Sequence, residues 1–201
     1  MILSAIITLT ILLFSAILHE IAHGYVAERL GDPTARLMGR LTLNPKNHID
    51  PMMSIALPLI LLITGSPIII GAAKPVPVDP FNLRDGRKDM ALVSLAGPLT
   101  NVALAIAASL ILKFIPYSIF YDLLAAITHL NLLLAIFNLL PIPPLDGSKI
   151  FALLLPEKLA NAYLSLGSIG IFIIFFLLMT SSTLGNLIFN LLTFSEKLLG
   201  L

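Results

Sequence analysis

The sequence predicts an all-α polytopic membrane protein with about five to six transmembrane or re-entrant helices and a small membrane-associated β element. Three observations predict it. Hydrophobic residues make up 58% of the 201 positions and charged residues 11%, with mean hydropathy +1.00, a balance outside the range of soluble domains. Apolar runs recur along the chain, and the first, 2–18, holds no charged residue. Proline, glycine and clusters of Lys/Arg separate these runs. A net charge of +1 gives no sign of nucleic-acid binding, and the lack of cysteine removes disulfides and thiolate metal sites. The first run has no basic leader before it and reads as a retained helix rather than a signal peptide.

The first helix is expected over 2–30, stopped by Gly31-Asp32-Pro33. At 1.5 Å per residue it would be roughly 40 Å long, more than the ~30 Å hydrocarbon core. Partial alternation over 36–43 suits a short strand. Residues 52–70 are apolar but broken by Pro58, Gly65 and Pro67, and 68–78 should be extended, with Pro75 and Pro77 guarding an edge. A second long helix is expected over 89–114 and a third over 119–140, ending in a proline-rich stretch. Two more apolar stretches, 160–179 and 184–199, follow, the last short for a span.

Charge distribution orders these elements. Segments 29–51 and 71–89 carry four Lys/Arg each, whereas 113–122 carries only Lys113. Basic segments favour the cytoplasmic face, so 52–80 should enter and leave by that face. Non-helical backbone at that depth must be covered or line a cavity. The two following helices then cross out and back, and Asp146 returns to the end of the bundle that holds residues 19–23.

Those residues read His19-Glu20-Ile21-Ala22-His23. Ionisable groups inside a membrane helix are costly and mark function. Two His at i and i+4 face one way and can bind one zinc, with the Glu beside them as general base. His23 would lie roughly 9 Å, and His19 roughly 15 Å, from the charged end at Arg29. Catalytic zinc takes three protein ligands, and Asp146, beside Gly147 in a proline-broken loop, is the expected third. Zinc would polarise a scissile carbonyl and acidify water, with Glu20 passing the proton to the leaving amine. Asn138 reads either as an oxyanion donor or as a helix-packing amide. Asn101 could touch substrate backbone or join helices, and Asn131 could extend a polar stripe from Asn138. His129 suits helix–helix bonding, and His48 a surface or loop-bracing role rather than a rival ligand.

Together, His19-Glu20-Ile21-Ala22-His23-Gly24, Ala96-Gly97-Pro98-Leu99-Thr100-Asn101 and Asn138-Leu139-Leu140-Pro141-Ile142-Pro143-Pro144-Leu145-Asp146-Gly147 resemble, in order, the motifs of the site-2 protease family of intramembrane zinc metalloproteases. The resemblance covers about 15–150. It implies one zinc ion on His19, His23 and Asp146, Glu20 as catalytic base, and Asn138 in substrate or oxyanion stabilisation. It further implies cleavage of transmembrane protein or peptide substrates within the bilayer. Ser148 stands where many members have glycine, and no PDZ or CBS domain is expected beside the membrane core.

The expected organisation is one membrane-embedded domain over 1–201, with a catalytic core at about 1–155 and C-terminal helices at about 156–201. The expected location is a prokaryotic cell membrane, with the site nearer the cytoplasmic face. The sequence leaves oligomeric state open. The rival reading is a transporter or metal-handling membrane protein using His19, Glu20, His23 and Asp146 as a translocation site.

Overall fold

The computed structural model describes residues 2–56, 59–60, 63, 73–180 and 182–201. Eight α-helices are bounded within them: α1 (Ile2–Arg29), α2 (Thr34–Leu37), α3 (Gly86–Leu112), α4 (Ile119–Asn138), α5 (Asp146–Ala152), α6 (Glu157–Leu164), α7 (Gly167–Thr180) and α8 (Ser182–Leu199). Three of these, α1, α3 and α4, are long and apolar enough to cross a membrane. The bent pair α7–α8, meeting at 92°, would make a fourth. The described residues thus hold three or four of the five to six transmembrane or re-entrant helices expected. The 14 residues of α7 cover only about 21 Å as a helix, short of the ~30 Å core. The block at 52–70 lies largely outside the described residues.

Helix α1 ends in a Schellman turn: Gly31 N–H donates to Glu28 O at 3.1 Å and Asp32 N–H to Ala27 O at 2.9 Å. The chain leaves here and comes back to the same end, where Arg84 N–H donates to Leu30 O at 3.3 Å. Ala27 packs with Leu83 and Val93, so α3 starts beside the end of α1 and runs antiparallel to it. Helix α4 then returns parallel to α1, with Asn131 opposite Ser15. The out-and-back order expected from charge is therefore the order of the bundle. Along α8, Ile188 packs near Leu140, Leu192 meets Ala105 and Leu132, and Glu196 reaches His129. Helix α8 thus runs from the α4–α5 corner toward the opposite end.

The expected strand at 36–43 is absent. Thr34–Leu37 is helical and closes at Gly39 (φ 63°), with Gly39 N–H on Arg36 O and Arg40 N–H on Ala35 O, both at 2.9 Å. Local capping overrides the partial alternation over 36–43, and Arg36 pairs with Glu28 to fix the turn against α1. No strand occurs among the described residues, although 68–72 of the expected edge lies outside them. Residues 73–79 form an irregular strap held by side chains. Arg40 donates to Lys74 O at 2.7 Å and Pro75 O at 3.2 Å, and Lys74 N–H donates to His48 O at 2.7 Å. Asp32, fully buried, accepts from Asp79 N–H at 2.7 Å, Asn82 Nδ2 at 3.0 Å and Thr34 N–H at 3.1 Å. Burial favours its neutral form, but these bonds and the Thr34 hydroxyl prevail and hold its carboxyl below the ordinary range.

Candidate metal centre

Helix periodicity stacks His19 above His23 on the face of α1 turned toward α3 and α5. Asp146 arrives from the other side as the first residue of α5, directly after the Pro141–Pro144 corner. Gly147 allows that approach, since a Cβ there would stand 2.6 Å from Leu140 O. Arg87, in the first turn of α3, donates to Leu155 O at 2.8 Å and to Ala152 O, pinning the end of α5.

Three side-chain atoms converge. His19 Nε2 and His23 Nε2 are 3.0 Å apart, and Asp146 Oδ2 lies 3.1 Å from the first and 3.2 Å from the second. All three residues are buried, and they form the one group of three or more potential ligands among the described residues. A tetrahedral zinc with bonds of about 2.0–2.1 Å needs ligand atoms about 3.3 Å apart, so the triangle fits with small expansion. The hydrogen-bond chemistry points the same way. His23 Nδ1 lies 2.6 Å from Val93 O, which can only accept, so the ring proton is on Nδ1 and the Nε2 lone pair faces the cluster. His19 Nδ1 lies 2.6 Å from Asn101 Oδ1. Lone pairs this close need a cation or proton between them.

Gly97 completes the cradle. A Cβ there would sit 2.5 Å from Nε2 of both histidines, so only glycine lets α3 pass behind the donor triangle. Opposite it opens a cavity of about 340 Å³ lined by His19, Glu20, His23, Val76, Asn138 and Asp146, among others. Glu20 Oε2 accepts from Val76 N–H at 2.7 Å. Asn138 donates to Leu134 O on its own helix at 3.0 Å while facing the cavity. The arrangement offers a donor triangle for a cation, an adjacent carboxylate and a side-chain amide around one space.

The other residues singled out in the sequence take the following places. Asn101 is fully buried and bonded to His19 and Asn131, the helix-joining arrangement that its sequence reading also offered. Of the two roles expected for His48 the loop-bracing one holds, from a buried position: Nε2 donates to Thr42 O at 2.7 Å. His129 pairs with Glu196 at 2.6 Å beside a separate cavity of about 410 Å³, joining α4 to α8. Sequence reasoning missed Lys149, whose Nζ is 3.4 Å from Asp146 Oδ1, although the i, i+3 spacing was a usable signal. It also missed Ser94, a buried hydroxyl lining the cavity, for which the sequence carries no signal.

Residues 115–181 match the model of the family described as Peptidase family M50. The chain is also similar to three proteins named as putative zinc metalloproteases. YwhC of Bacillus subtilis is 38% identical over 178 residues, covering 83% of this chain and 77% of that protein. Rip2 of Mycobacterium tuberculosis is 39% identical over 138 residues, covering 67% of this chain and about half (52%) of that one. MJ0611 of Methanocaldococcus jannaschii is 54% identical over 59 residues, or 29% of this chain and 31% of that protein. No solved structure matches the chain. With the B. subtilis relative matched over most of both chains, and a donor triangle suited to zinc, the protein is a multi-pass membrane peptidase belonging to family M50.

Proposed function

We propose that the protein is an intramembrane zinc endopeptidase that hydrolyses peptide bonds within transmembrane segments of other membrane proteins. The observation that carries this reading is the buried triangle of His19, His23 and Asp146 built on a membrane-length helix, with Glu20 beside it. His19, His23 and Asp146 hold the metal. Zinc supplies Lewis acidity toward the scissile carbonyl and acidifies water. Glu20 takes the proton of the attacking water and delivers it to the departing amine. The second amide hydrogen of Asn138, not used by Leu134 O, donates to the oxyanion. The 73–79 strap borders the cavity and offers main-chain groups to an unwound substrate. The cytoplasmic face of a prokaryotic cell membrane lies at the Arg29 end, where basic residues gather.

The test combines metal analysis with cleavage of a single-span substrate in proteoliposomes. Wild type should carry one zinc, and His23→Ala and Asp146→Ala should lose it. Glu20→Gln should keep zinc and lose cleavage by on the order of 10³-fold. A transporter would have no cleavage to lose and would instead show metal flux sensitive to Glu20. Full zinc in Asp146→Ala would remove the third ligand from this scheme.

A further inference from the structure

Behind His19 lies a relay of three buried polar side chains from three helices. It begins at a group whose role is unambiguous. Ile127 O can only accept, and Asn131 Nδ2, one turn later on α4, donates to it at 2.9 Å. The same Nδ2 donates its other hydrogen to Ser15 Oγ on α1 at 2.9 Å. The amide of Asn131 is thereby oriented, and its Oδ1 must face α3. There it accepts from Asn101 Nδ2 at 2.9 Å. That bond orients Asn101 in turn and presents its Oδ1 to His19 Nδ1 at 2.6 Å. Asn101 and Asn131 are fully buried and Ser15 is 5% exposed, so bulk water does not compete for these bonds.

We propose that Asn131, acting through Asn101, is a positioning residue that sets the tautomer of His19 and so makes its Nε2 a metal donor. Reversing the Asn131 amide would reverse Asn101 and point an NH₂ group at His19 Nδ1. The ring would then carry its hydrogen on Nε2, facing Asp146 and His23, where it blocks a metal. Partners of this kind fix ring orientation and typically change metal affinity 10–100-fold when removed. Asn131 lies on neither the His-Glu pair nor the segment of Asp146. The inference rests on the reading of His19 as a zinc ligand.

The test is zinc affinity, measured by competition with a chromophoric chelator, alongside thermal unfolding of the same preparations. Asn131→Leu should weaken zinc at least about tenfold. Asn101→Asp is the second background, because a carboxylate offers His19 an acceptor in either orientation. For the same reason Asn131→Leu should cost less than about threefold when added to Asn101→Asp, because amide orientation no longer matters. Equal losses in both backgrounds would mark Asn131 as packing and overturn the relay. Should Asn101→Asp not fold, Asn131→Leu alone decides: lowered thermal stability with unchanged zinc affinity overturns it. A wild type that binds no zinc fails the reading of the site itself, a result distinct from either failure of the relay.

Discussion

The main-chain N–H of Val76 donates to Oε2 of Glu20 at 2.7 Å, joining the strap to the one acidic side chain that sits between the two histidines in sequence. Arg40 and Asp32 anchor the strap on either side of this contact. The strap therefore aims the Glu20 carboxylate. Val76→Pro removes the donor, and cleavage should fall about tenfold in kcat/KM while zinc stays bound, a split read by metal analysis beside kinetics. Wild-type cleavage in this variant would detach the strap from the reaction.

Gly97→Ala should abolish metal binding. The added methyl would meet both Nε2 atoms at 2.5 Å, and α3 is held on that side by the His23–Val93 and His19–Asn101 bonds. Zinc content should drop to background with the helical circular dichroism unchanged. Retained zinc would mean that α3 can shift outward without breaking those bonds.

Asn138→Leu should keep zinc and lower kcat on the order of 10²-fold, the scale of a lost oxyanion donor. A change confined to KM would place Asn138 in substrate binding instead. The relevant measurement is the kcat and KM pair on one peptide substrate in detergent.

Asp32 predicts an acid limb in stability. Its folded-state carboxyl is held below the unfolded value of about 4, so its contribution is complete above that value and fades as pH falls through the folded-state pKa. Asp32→Asn should lower stability by about 1–3 kcal/mol near neutrality, since a buried acceptor of several bonds is lost. The deficit should shrink below pH 4. Thermal unfolding as a function of pH reads both, and a deficit independent of pH would mean that the charge of Asp32 contributes nothing.

Much of the site was legible because its chemistry is local. Two histidines at i and i+4 must share a helix face, and Glu20 between them needs no tertiary information. Asp146 was reachable from the need for a third ligand taken together with charge parity, and it lies beside the two histidines. What the sequence hid depends on tertiary partners. Residues 36–43 alternate like a strand, yet the cap at Gly39 and the pairing of Arg36 with Glu28 make the first part helical. Asp32 looked like a helix stop, but its partners Asp79 and Asn82 lie almost fifty residues on. Asn101 could be assigned only once α1 and α4 stood beside α3, because its two partners come one from each.

His19 and Asp146 stand 127 residues apart in the chain yet 3.1 Å apart in the fold. A ribosome builds the protein in that order, and α1 enters the bilayer while the codon for Asp146 is still far off. Until α4 has crossed and the proline corner has closed, the nascent chain offers a metal the two imidazoles without the carboxylate of Asp146. Under the proposed ligand set, biosynthesis itself is the safety catch: a chain that stops short of Asp146 holds an incomplete site and should leave neighbouring spans uncut.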